Sequence, residues 1–121
     1  MSTGKHCDLW IDQGEDWRVD VLLTGIDCVP LDLTGFSFVS EAHLIINEYT
    51  KIRIHVDVDY PETGYVRLWL TNHETSRLPV GTWHYELEMT YNENKKMKVL
   101  FGHLTVNNEV TKPCYSDYLV W

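Results

Sequence analysis

Little in this sequence points to chemistry, and each absence narrows the class of protein it can be. Cysteine is scarce: Cys7, Cys28 and Cys114 are odd in number and widely spaced, with no CxxC and no histidine at zinc-ligand spacing. That pattern argues against a disulfide framework or a zinc knuckle and for free thiols in a reducing compartment. Positive charge is scarce as well, with ten Lys and Arg against eighteen Asp and Glu and a net charge of −8. A general nucleic-acid binder needs a cationic surface to displace counterions, so that class is excluded. The one basic cluster, Lys95, Lys96 and Lys98 in "ENKKMK", reads as a solvated hairpin end. No apolar run approaches the roughly 18–20 residues of a membrane-spanning helix. The first ten residues, "MSTGKHCDLW", lack the apolar stretch and small-residue cleavage site of a secretory signal, and none is expected there.

Catalytic signatures are missing too. No serine sits in a G-x-S-x-G elbow, and the cysteines have no recognisable partner. His43, His55, His73, His84 and His103 fall at outward or turn positions, none two or four residues from another, so no convergent ligand set is visible. Asp57, Asp59 and Glu62 in "DVDYPE" could offer oxygen ligands to calcium, but they lack EF-hand spacing and its glycine and read as a solvated turn. Pairs of carboxylates that could face a cleft exist in any acidic β protein and carry no weight. No enzyme activity, metal or cofactor is expected.

What is present is alternation. At 121 residues the chain suits one domain, and 44% hydrophobic content is that of a globular protein. Trp17, Val19, Val21 and Leu23 alternate with Arg18 and Asp20, the period of a half-buried strand. In "VPLDLTGFSF", Pro30, Asp32, Thr34 and Gly35 predict a turn that launches the next strand. That strand puts Phe36, Phe38, Ala42, Leu44 and Ile46 on one face, with Ser40 marking an edge, a bend or a small-residue gap. A turn is expected at "NEYT", then a strand with Ile52, Ile54, Val56 and Val58 inward. "DYPETG" is a further turn, with Pro61 and Gly64.

In "YVRLWL", Val66, Leu68 and Leu70 oppose Tyr65, Arg67 and Trp69. Thr71 or Asn72 can cap a short helical turn that ends at Leu78-Pro79. Trp83, Tyr85, Leu87, Met89 and Tyr91 mark the cleanest strand, and "NENK" turns it into "KMKVLFGHLTV", where Gly102 predicts a bulge or a close backbone approach. Seven or eight short strands at regular spacing predict an antiparallel β-sandwich over residues 1–111. Residues 112–121 form an apolar tail. Its Tyr115, Tyr118, Leu119 and Trp121, with Tyr65 and Trp69, are the candidate interface residues, because aromatic residues suit protein contacts and sugar stacking. The tail either folds back over the Tyr65, Arg67 and Trp69 face or anchors in a neighbouring subunit, and the second is expected of an assembly component.

The order of four segments carries a resemblance. "WIDQGEDW" (10–17), "VPLDLTGF" (29–36), "YVRLWLTNHETSRLPVGTWHYELEM" (65–89) and "FGHLTVNNEVT" (101–111) resemble a family of small bacteriophage structural proteins, over about residues 9 to 111. The resemblance implies an immunoglobulin-like sandwich that is part of a virion, an adaptor of tail, baseplate, neck or head-fibre type. It would be made in the host cytoplasm and dock, in several symmetric copies, on other virion proteins. The competing expectation is a carbohydrate- or receptor-binding module that stacks ligands on Tyr65 and Trp69. "KPCYSDYLVW" at the C-terminus departs from the family pattern, and a long fibre shaft following the domain is not expected.

Overall fold

A computed structural model describes residues 4–92 and 95–108. The expectations placed on 109–121, including Tyr115, Tyr118, Leu119 and Trp121, lie outside the described residues. The chain is all-β. Its strands are β1 Lys5–His6, β2 Leu9–Asp12, β3 Trp17–Leu22, β4 Ser37–Leu44, β5 Asn47–Asp57, β6 Tyr65–Leu70, β7 Gly81–Tyr91 and β8 Lys95–Asn107. A 3₁₀ turn at Pro61–Thr63 precedes β6, and a short helix α1, Asn72–Ser76, follows it.

These strands make one eight-stranded sheet in the order β1-β8-β7-β4-β5-β6-β3, with β2 also on β8. The sheet curls because β5 serves two partners in succession. Its first part pairs with β4, up to Ile54 opposite Ser40, and His55, Val56 and Asp57 pair with Trp69, Leu68 and Arg67 of β6. One apolar cluster draws on both halves: Leu44, Trp83, Tyr85, Leu87 and Leu104 from one, Trp17, Val66, Leu68 and Leu70 from the other, with Ile54 in β5 itself. Alternation therefore placed most of the core, including Trp17, Leu44, Ile54, Leu68 and Leu87. Phe38 and Val99 are only partly buried, at the margin of the cluster.

Three local expectations change in detail. The turn after β4 is the pair Ile45-Ile46, closed by Leu44 opposite Asn47, so "NEYT" is already strand. A register shift between His43 and Leu44 accompanies that turn and leaves Ile46 exposed rather than inward. Phe36 precedes β4 and is partly exposed, its ring edge-on to Tyr91 at 6.5 Å. Ser40 is buried in a central strand, where its hydroxyl donates to the Glu86 carbonyl at 2.8 Å, so a small polar side chain fits without an orphaned group.

The pairing is not wholly antiparallel. β1 and β2 lie parallel to β8, at the chain's opposite end. Between them, at Cys7-Asp8, the backbone presses against Gly102, where a Cβ would collide with the Cys7 carbonyl. Only glycine accommodates that approach. The Asp8 carboxylate accepts from the His103 N–H at 3.0 Å, bridging the interruption. The launching turn behaves as read: the Asp32 carboxylate accepts from the Thr34 N–H at 3.1 Å and from its hydroxyl at 2.6 Å, and Gly35 has φ of +86°.

Leu87 is fully buried opposite Ser40 and Leu100. Leu87→Ala is expected to lower the unfolding free energy by roughly 2–5 kcal/mol, the usual cost of an unfilled core site. Urea denaturation of the two proteins checks it, and equal stability would mean that the inward register is misplaced.

Candidate functional site

The outer face of β5, β6 and β3 is where the sequence placed Tyr65, Arg67 and Trp69 opposite a buried row, and they do occupy it. Antiparallel register builds it in rows: His55 beside Trp69 beside Arg18, then Asp57 beside Arg67 beside Asp20. Inward Val66 and Leu68 are fully buried on the other side of the same strand. The alternating pattern that makes the core thus also gathers these polar and aromatic side chains.

Each group is held by a neighbour. The Trp69 ring stacks on His55 with centroids 4.3 Å apart, and its indole N–H donates to the Asp57 carboxylate at 2.9 Å. His55 in turn meets the Glu74 carboxylate, Nε2 to Oε2, at 2.7 Å. Glu74 closes a capping box at the start of α1: the Thr71 hydroxyl accepts from the Glu74 N–H, and the Glu74 carboxylate accepts from the Thr71 N–H at 2.8 Å. Arg67 spans two carboxylates, Nη1 to Asp59 at 2.8 Å and Nε to Asp20 at 3.5 Å. Desolvation alone would lower its pKa, yet the hydrogen bond and charge of Asp59, with Asp20 behind it, leave it above the ordinary value.

Beside this lattice lies an open groove of about 450 Å³, bounded by Asp20, Asp57, Asp59, Tyr60, Tyr65 and Arg67. Tyr60 and Tyr65 are 68% and 51% exposed. Both present ring surface to solvent within an acidic surround, a chemistry suited to stacking on a sugar or to receiving a cationic side chain. Tyr65 and Trp69 therefore share a face but differ in availability: Trp69 is half-buried and engaged, while Tyr65 is open. Tyr60 escaped sequence reading because it stood in a turn, and only the fold of the Pro61–Thr63 segment brings it beside β6.

Two of the three residues weighed for a calcium ion are engaged by protein partners, Asp57 by Trp69 and Asp59 by Arg67, and Glu62 stands exposed in the 3₁₀ turn. The histidines do converge more than their spacing suggests. His43, His84 and His103 stand side by side across β4, β7 and β8, with the first two rings 5.3 Å apart. Among the described residues, no three His, Cys, Asp or Glu side chains are grouped to hold a metal ion. Cys7 and Cys28 are both free and exposed. No protein-family model matches the chain, and no curated protein matches it.

Hydrogen bonding from the Thr71 N–H, above all, holds the Glu74 carboxyl below its ordinary range, with burial opposing and His55 assisting. A carboxylate lowered on folding contributes stability that is complete above the ordinary glutamate value, and that contribution is lost as pH falls through the lowered one. Glu74→Gln is expected to be less stable than the parent by about 0.5–1 kcal/mol at neutral pH, a capping effect discounted for exposure. The gap should narrow as pH falls below the ordinary glutamate range. Thermal unfolding of both proteins across that range checks the sign, and a gap that widens on acidification contradicts it.

Proposed function

We propose that this chain is a non-enzymatic structural component of a bacteriophage virion, an adaptor that docks on other virion proteins in several symmetric copies. On this reading the curled sheet is an immunoglobulin-like sandwich, with β1, β2, β8, β7 and β4 as one layer and β6 and β3 as the other, joined through β5. Assembly would follow synthesis in the host cytoplasm.

The observation that carries the reading is that the segments bearing the phage-protein resemblance meet in space. Gln13, Gly14 and Glu15 of the "WIDQGEDW" lead-in all bond to the threonine-rich turn and its sequel. The buried Thr75 hydroxyl accepts from the Gly14 N–H at 3.0 Å and donates to the Glu15 carbonyl at 2.8 Å. The Gln13 side chain donates to the Leu78 carbonyl at 2.7 Å, and the Asp16 carboxylate accepts from the Asn72 N–H at 2.7 Å. Trp17 closes the lead-in, its indole N–H donating to the Trp10 carbonyl at 2.9 Å. Pieces more than fifty residues apart in the chain that depend on one another in this way support a shared family pattern over coincidence of composition.

A second reading, a carbohydrate- or receptor-binding module, is favoured by the exposed Tyr60 and Tyr65 rings beside the acidic groove. Mass spectrometry of purified virions and their sub-assemblies tests the first reading. Peptides of this chain are expected at a fixed ratio to other structural proteins. Their absence from intact particles, together with glycan-array binding by the isolated protein that is lost in Tyr65→Ala, would instead favour the second.

A further inference from the structure

The curl of the sheet leaves one seam open. β4 covers one edge of β5 along its first part, but β6 joins the other edge only at His55–Asp57. Among the described residues, no strand pairs with that second edge from Asn47 to Ile54. An uncovered strand edge is a template for another extended segment. Alongside it runs a groove of about 350 Å³, walled by Ile52, Leu70, Leu78, Pro79 and Trp83. In the turn before β5 and at its start, Ile46 and Tyr49 are 88% and 89% exposed, and Ile45 and Val80 are also in solvent. Two isoleucines at a hairpin turn are poor turn chemistry, and exposed apolar side chains at the start of an uncovered strand mark a contact surface.

We propose that residues 115–121 of this chain dock along the open edge of β5 and fill this groove. Position supports it. β8 ends at Asn107, whose carbonyl accepts from the Gln13 N–H at 3.0 Å, while the Gln13 side chain bonds to Leu78 in the groove wall. A single residue therefore links the end of β8 to the groove. Residue 115 follows Asn107 by eight residues, a reach of about 26 Å at about 3.3 Å per residue. Composition supports it as well. "YSDYLVW" combines aromatic and β-branched side chains suited to a strand, and alternation puts Asp117, Leu119 and Trp121 on one side.

Charge discriminates between the two available seats. Arg77 and Arg53, the latter bridged to Glu41, line the groove together with a single carboxylate, Glu74, in a chain of net charge −8, and Asp117 complements the two guanidiniums. The Tyr65 face presents Asp20, Asp57 and Asp59, which would repel Asp117. That face also carries no equivalent groove of aliphatic walls. The inference does not depend on the virion reading, since the groove and the segment belong to this chain in either case.

The test is photo-cross-linking of the full chain with p-benzoylphenylalanine in place of Thr50, which lines the groove. The same probe in place of the exposed Arg77 covers a Thr50 variant that disturbs β5. Mass spectrometry is expected to find cross-links to residues 115–121 from either position, and Asp117→Lys is expected to reduce their yield several-fold. Products of one-chain and two-chain mass both support the docking and separate folding back from exchange between copies. Cross-links that reach 115–121 only from a probe in place of Tyr65, or that never reach 115–121, would overturn the proposal.

Discussion

Everything in this fold depends on β5 pairing with two strands in succession. A β5 that ended at Ile54 would offer β6 no partner residues and leave β3 and β6 as a separate ribbon, and an isolated two-stranded ribbon is marginal in water. Because His55, Val56 and Asp57 pass over to β6, the ribbon stays attached and turns its apolar row of Val66, Leu68 and Leu70 toward Trp83, Tyr85 and Leu87. Ile54, 1% exposed, sits where the pairing changes and belongs to the core of both halves. The same crossing creates two surfaces. One is the outer face of β5 and β6, where His55 and Asp57 meet Trp69 and Arg67. The other is the seam that opens along the first part of β5, where β6 has not yet joined.

The corner formed by α1 reinforces that arrangement with polar bonds. Glu74 caps its own helix and also meets His55, so the helix start is tied to β5 and through the stacked ring to Trp69. Thr75, fully buried, satisfies backbone groups of the loop between β2 and β3. Burying one hydroxyl with both its donor and acceptor capacity used is the inexpensive way to join two loops inside a core. The candidate site is consequently a lattice of interacting side chains with an open aromatic groove beside it. One guanidinium, Arg67, answers Asp20 and Asp59 while Asp57 meets a neutral indole, so the face stays acidic, and the Tyr60 and Tyr65 rings remain available.

Much of this was legible in the sequence because it is local. Period-two alternation located β3, β4, β6 and β7 and most of their inward rows, the helix cap fell on Thr71, one of the two residues offered for it, and the residues of "LDLTG" formed the turn their chemistry requires. Gly102 was marked as a point of close approach, although which backbone approached could not be read. The rest depends on pairs remote in sequence. Parallel pairing of β1 and β2 with β8 joins the two ends of the chain, and no hairpin signal reports it. The His43, His84 and His103 row arises from register across three strands, invisible to spacing along one. Tyr60 failed for the same reason, as did the seam along β5, since which edge of a strand stays open is a property of topology.

β5 makes both halves of the sheet one cooperative unit. Native-state amide hydrogen exchange measures this directly, because strands that open together share one opening free energy. The slowest amides of β6, at Leu68 and Trp69, are expected to exchange with the same free energy and denaturant dependence as those of β7, at Tyr85 and Leu87. A markedly lower opening energy for β3 and β6 alone, with β4 and β7 still fully protected, would contradict it.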